Sequence, residues 1–206
     1  MVNDTGNGLI VALAGRRIDA EQETYPRFPL ANIAMVEQRI EDFFATHAVA
    51  ALVCSAACGA DLIALEAAQR RGVFCCIVLP FGPSVFKAKS VLDRPGDWGK
   101  RFDNVYRHLA KHPTQGKVVC LDCPENDPQA YERANNEIIY NAEALEQKIY
   151  LAQGSCSGSF VSHLMALVVW DGQIKLYRDA TESFARTARR CRIAVSVIST
   201  LAEVVE

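Results

Sequence analysis

Three stretches of this chain carry residue types that can grip a phosphorylated or hydroxylated ligand. The first is Ser55-Ala56-Ala57-Cys58-Gly59-Ala60-Asp61, a turn of small residues ending on a carboxylate. Such a turn at a helix start brings a ligand close to backbone N–H groups, where anions are favoured. It is not the GxGxxG fingerprint. Gly59 reads either as a point of phosphate approach or as tight strand-to-helix packing. Asp61 reads as a helix-start acid or as a ligand contact, for example to a ribose hydroxyl. Glu66, five residues on, falls one helical turn further and is a candidate polar or catalytic group. The second stretch is Gly15-Arg16-Arg17, joined by Arg27 in the Pro-stiffened Tyr25-Pro26-Arg27-Phe28-Pro29. A guanidinium fork suits phosphate, and pairing with nearby acids is the alternative. The third is Trp170-Asp171-Gly172, where Asp171 is either a ligand-binding or catalytic acid or a turn-forming Asp-Gly.

The surrounding elements place all three at strand ends. Leu9–Ala14, Ala50–Cys54, Val73–Leu79 (ending at Pro80), Lys117–Leu121, Met165–Trp170 and Ile193–Ile198 are short, uniformly apolar runs. Between them stand helical patterns over 31–46, Ala60 to Gly72, Trp98–Lys111, 128–147 and 179–191. Prolines 80, 83 and 95 predict a long loop over Phe81–Asp97, framed by Phe81, Phe86 and Trp98. Residues 148–169 are ambiguous: their start reads as a short strand and loop or as a continuation of the preceding helix, and a helix over about 157–163 would then lead into Met165–Trp170. Uniformly apolar strands alternating with helices predict an α/β three-layer sandwich: a mostly parallel sheet with helices on both faces. No linker or repeat divides residues 1–206, so one domain is expected.

Composition narrows the function classes. The chain has 206 residues, 50% of them hydrophobic, and a formal net charge of -2. No basic excess suggests nucleic acid as a partner. No apolar run approaches the roughly 18 residues of a membrane helix. The start, MVNDTGNG, lacks a signal-peptide pattern, so a cytoplasmic location is expected. The eight cysteines sit mostly in apolar runs, as buried reduced thiols do. Cys120-Leu121-Asp122-Cys123 is a lone CxxC, and the four histidines have no metal or triad spacing. No metal site and no cofactor is read from the chain.

Read together, these residues resemble a family. Gly15-Arg16-Arg17-Ile18-Asp19, Arg27-Phe28-Pro29, Ala57-Cys58-Gly59-Ala60-Asp61 with Leu65-Glu66-Ala67, and Gly72 carry its first half. Leu79-Pro80-Phe81, Phe86, Ser90-Val91, Trp98, Arg101-Phe102, Tyr131, Asn135 and Trp170-Asp171-Gly172 complete it. In this order they resemble the SLOG superfamily of Rossmann-like domains, in its stand-alone or cyclase- and TIR-associated bacterial branch. That superfamily includes lonely-guy phosphoribohydrolases, DNA-processing protein A and ADP-ribose or cyclic-nucleotide sensors. The resemblance implies a Rossmann-like fold and a nucleotide-derivative site at the carboxyl ends of the strands. Gly15, Arg16, Arg17, Arg27, Ala57, Gly59, Asp61, Pro80, Asp171, Gly172 and Thr181 are the ligand-binding candidates, with Glu66 and Asp171 the catalytic ones. One departure matters. Where the family carries a Gly-Gly-Thr phosphate turn, this chain has Asp179-Ala180-Thr181-Glu182, and only the threonine survives. Asp179 and Glu182 suit a helix N-cap and capping box instead.

Three functions follow as expectations. The leading one is a nucleotide-derivative-binding, sensor-type domain for an ADP-ribose-like ligand, cyclic nucleotide or mononucleotide. The second is a nucleotide N-glycoside hydrolase. The third is a ligand-free interaction module. The apolar last strand leaves a homodimer open.

Overall fold

The computed structural model describes residues 8–152, 163–174 and 179–202. Residues 157–162 of the helix considered over 157–163 lie outside them. Six strands form one sheet: β1 (Leu9–Gly15), β2 (Val49–Cys54), β3 (Phe74–Leu79), β4 (Gly116–Cys120), β5 (Leu164–Trp170) and β6 (Ala194–Ser199). All neighbouring pairs are parallel, in the order β4-β3-β2-β1-β5-β6. Six helices connect them: α1 (Ile33–Thr46), α2 (Ala60–Arg70), α3 (Pro83–Ser90), α4 (Trp98–Lys111), α5 (Ala130–Ala152) and α6 (Ala180–Arg190).

Alternating side chains of the strands feed two separate cores. Val11, Leu13 and Leu52 face α1, α2 and α4 through Val36, Ile40, Leu62, Leu65 and Phe102. Ile10, Ala12 and Val53 face α5 and α6 through Ala134, Ile138, Phe184 and Ala188. Both faces being covered explains why the strands read as unbroken apolar runs instead of alternating ones. The result is an α/β Rossmann-like three-layer sandwich. No helix among the described residues is long and apolar enough to cross a membrane.

One element differs from the sequence expectation. The stretch Phe81–Asp97 is not a continuous loop, because α3 occupies Pro83–Ser90. Pro83 lies in its first turn, where a missing N–H costs nothing, and Phe86 and Ser90 are the buried residues of this helix. Proline there starts a helix instead of breaking one. After residue 147, where the sequence leaves strand and helix open, α5 continues to Ala152.

The strand order locates the functional edge. Successive strands β1 to β4 step one way across the sheet, while β5 and β6 lie on the other side of β1. The direction in which strands are added across the sheet therefore reverses between β1 and β5. In open parallel sheets, ligands bind at the carboxyl ends of the strands at such a reversal.

Candidate functional site

The carboxyl end of β1 runs directly into Arg16, and that of β5 into Asp171. These meet across the reversal point. Arg16 Nε donates to Asp171 Oδ1 at 2.9 Å. Its two terminal nitrogens donate to Asp179 Oδ1 and Oδ2 at 2.7 and 2.8 Å. The side chains of Asp171 and Asp179 are each 1% exposed and that of Arg16 is 7% exposed. Burial works against the Arg16 charge. The hydrogen bonds to Asp179 and Asp171 outweigh it, so its pKa is held above the ordinary arginine value. The guanidinium also lies 5.5 Å from the Trp170 ring. Arg27 stands behind, with Nε 3.7 Å from Asp171 Oδ2 and Nη1 donating to the Gln173 carbonyl at 3.0 Å. Asp179 is also the N-cap of α6, accepting from the Thr181 and Glu182 N–H groups at 3.1 Å each. The chain's own carboxylate thus occupies the place where an anion would meet that helix start.

The turn after β2 is built differently. Gly59 has φ +98°, and a Cβ there would stand 2.7 Å from the Arg16 carbonyl oxygen and 2.9 Å from the Ile18 nitrogen. Ala60 N–H donates to that same Arg16 carbonyl at 3.1 Å. The bare backbone of the turn is therefore covered on this side by the chain after β1. That supplies the packing reason for the glycine. Gly15 is packed as closely, its absent Cβ 2.3 Å from that of Ala60.

Asp61, in the first turn of α2, is not saturated in this way, and among the described residues Asp171 Oδ2 also lacks a hydrogen bond, with Arg27 Nε 3.7 Å away. Asp61 is 6% exposed. Its Oδ2 accepts from Ala57 N–H at 3.2 Å, while no hydrogen bond reaches its buried Oδ1 among the described residues. Burial pushes its pKa up to about 7, against the pull of the Ala57 and Gly15 N–H groups and the charge of Arg17. Arg17 itself pairs with Asp93, leaving its buried Nε unpartnered.

Three cavities adjoin at this edge. An inner one of about 90 Å³ is lined by Gly15, Ala57, Asp61, Phe86, Ser90, Tyr131 and Asn135, among others. A second, of about 210 Å³, is lined by Arg16, Arg17, Arg27 and Arg94 with Asp19 and Glu23. It shares Gly15, Arg17, Ala180 and Thr181 with the first. A third, of about 470 Å³, lies between the starts of α5 and α6 and includes Pro128, Tyr131, Ile174 and Arg186. It shares Tyr131 and Ala180 with the inner one. Ser90 Oγ and Tyr131 Oη lie 2.9 Å apart, closing the inner cavity over the sheet. Asn135 Nδ2 donates to the Ala180 carbonyl at 2.8 Å and ties α5 to the α6 start.

The predicted residues therefore divide. Gly15, Arg16, Arg17, Arg27, Ala57, Asp61 and Thr181 line one or other of these cavities. Asp171 lines none of the three, being held by Arg16 and approached by Arg27. Gly172, at φ +78°, completes its turn, and an added Cβ there would meet none of the described residues within 4 Å. Pro80 is buried at the end of β3, its carbonyl accepting from Cys123 N–H at 2.9 Å. Glu66 lies away from this edge, bound by Arg101 at 2.9 Å through Oε1, with Arg101 stacked 4.5 Å from the Trp98 ring. Tyr131 and Asn135 join the cavity walls with no sequence signal but their part in the family pattern. Phe86 and Ser90 join them from the aromatic-framed stretch after β3, whose side chains were expected chiefly as core. Arg94 had no signal at all. Burial pushes the thiols of Cys75 and Cys76 up to about 12 and about 11, as expected of inert core cysteines.

The parallel order, the reversal at β1/β5 and helices on both faces define a Rossmann-like α/β domain. No family model and no curated protein matches the chain. Among solved structures, DNA processing protein A (DprA) from Streptococcus pneumoniae is similar at a TM-score of 0.42 and 14% identity. The match covers 95% of this chain and 60% of that one. The chain thus spans less than two thirds of that protein, and the fold assignment stands on its own six-stranded sheet.

Proposed function

We propose that this chain recognises a nucleotide-derived small molecule at the carboxyl edge of β1, β2 and β5, as a sensor-type binding domain of the SLOG kind. The observation that carries the reading is the adjoining set of cavities at the strand-order reversal. One side is lined by four arginines, the middle by a buried acid, and the far side by an open groove where Tyr131, Pro128 and Ile174 stand among polar and charged side chains. A ligand with a phosphate, a polar centre and a flat base matches that sequence of surroundings. Recognition is favoured over hydrolysis because both catalytic candidates are committed to arginines, Glu66 to Arg101 and Asp171 to Arg16.

Thermal unfolding with ADP-ribose, cyclic nucleotides and nucleoside monophosphates tests this. At a hundredfold excess over Kd, a ligand bound only by the folded state adds about 2.7 kcal/mol. For a domain of this size that raises Tm by about 5–10 °C. A flat response across the whole panel rejects the proposal.

A further inference from the structure

We infer that Asp61 and the inner cavity form a sugar-hydroxyl subsite, so that the domain selects ribo- over 2′-deoxyribonucleotides. The inference rests on the nucleotide reading above and adds to it the ligand's orientation and the residue that sets its specificity.

Size comes first. The inner cavity measures about 90 Å³. A closed apolar cavity of about 150 Å³ takes one benzene ring. A whole purine is larger than benzene and is not enclosed by about 90 Å³, while the hydroxyl edge of a ribose fits. Position comes second. The inner cavity shares walls with both flanking cavities, through Gly15 and Arg17 on one side and Tyr131 on the other. In a nucleotide, the sugar likewise joins phosphate to base. With the hydroxyls on Asp61, the phosphate points to the arginine-lined cavity and the base to the larger groove.

Chemistry comes third. Asp61 is more than nine-tenths buried and lines this cavity, yet one carboxylate oxygen has no partner among the described residues. Leaving a buried acceptor unmatched is unfavourable, and most such groups in folded proteins find a donor. A ribose hydroxyl is a donor. A 2′-deoxy sugar removes one. A phosphate brings only negative charge and is repelled from this point.

The test compares the four ribonucleoside monophosphates with their 2′-deoxy counterparts by isothermal titration, first on the unaltered chain. At pH 8, where Asp61 carries its charge, a hydrogen bond to it predicts about tenfold to a hundredfold tighter binding of the ribo form. In Asp61→Ala that preference falls to about twofold or less. Asp61→Asn, which keeps the volume, serves where the alanine variant fails to fold, and it weakens the preference in the same direction. Equal binding of ribo and 2′-deoxy forms by the unaltered chain overturns the subsite and leaves the nucleotide site standing. So does a preference that survives both substitutions. Failure of every nucleotide to bind overturns the nucleotide reading itself, and the subsite with it.

Discussion

The starts of α2 and α6 come from opposite faces of the sheet to the same cavity at the carboxyl ends of the strands, and each carries a buried aspartate. Asp179 at the α6 start accepts two bonds from Arg16 and two from backbone N–H groups. Asp61 at the α2 start accepts a hydrogen bond from Ala57 and is drawn by the Gly15 N–H, while among the described residues its Oδ1 meets no hydrogen-bond geometry. Both carboxylates are almost fully removed from water, so burial alone does not separate them. What separates them is the cation. Arg16 is turned wholly towards β5 and α6, and the nearest alternative for Asp61, Arg17, is turned towards Asp93. A buried acid with its charge matched is part of the framework. One left unmatched beside a cavity is poised for a ligand.

The largest effect should come from breaking the matched half. Arg16→Met leaves Asp171 and Asp179 buried without their principal cation. Removing one partner of a buried pair costs about 3–5 kcal/mol. Urea unfolding at pH 7 should show a loss of that order. A loss below about 1 kcal/mol would mean that Arg27, 3.7 Å from Asp171, takes over the pairing.

The unmatched half should respond with the opposite sign. Asp61 has its folded pKa raised from 3.8 to about 7. Between those values the native state binds the proton and the unfolded state does not. Stability from this group is therefore present below about pH 4 and is lost as pH rises to about 7. Asp61→Asn has no such loss. Its advantage over the unaltered chain should grow across that window and level off above pH 7, reaching at most about 4 kcal/mol. Parallel urea titrations at pH 4, 5.5 and 8 measure the difference. A gap that stays flat or narrows with pH would show that Asp61 is matched after all.

Much of the fold was legible because its signals are local. Uniform strands such as LIVALA at 9–14 show both faces covered without any knowledge of the partners. Asp179 was also legible as an N-cap, since capping depends on residues two and three further on. The Arg16–Asp179 pair was not, because it joins residues 163 apart, and many acids lay equally available along the chain. Glu66 misled for the same reason. Its partner, Arg101, sits on another helix and holds it on the face away from the strand ends. Helix α3 was hidden because proline marks both loops and first helical turns.

Gly59 offers an intermediate effect that separates packing from ligand approach. Its φ of +98° excludes ordinary side chains, and a Cβ would press on the backbone at Arg16 and Ile18. Gly59→Ala should cost about 1–3 kcal/mol from the backbone alone, with the clash in addition. Gly172→Ala is the control, since it has φ +78° but none of the described residues within 4 Å of an added Cβ. It should cost about 1–2 kcal/mol. Equal losses at the two positions would mean that the chain after β1 yields easily and that the turn is not tightly held.

The smallest effect belongs to Glu66, and it tests whether the contrast at the sheet edge is where function resides. Glu66 and Arg101 have side chains 23% and 16% exposed, and Arg101 is shared with Glu37 at 3.0 Å. Partly wet and held in a three-residue group, this pair contributes little: Glu66→Gln should lower stability by less than about 1 kcal/mol. It should leave nucleotide affinity within about twofold, because Glu66 lines none of the cavities beside Asp61. Chromatography of nucleotides incubated with the unaltered chain and with Glu66→Gln completes the comparison. Release of free base that disappears in the variant would move the chemistry to the α2–α4 face. The unmatched oxygen of Asp61 would then need another explanation.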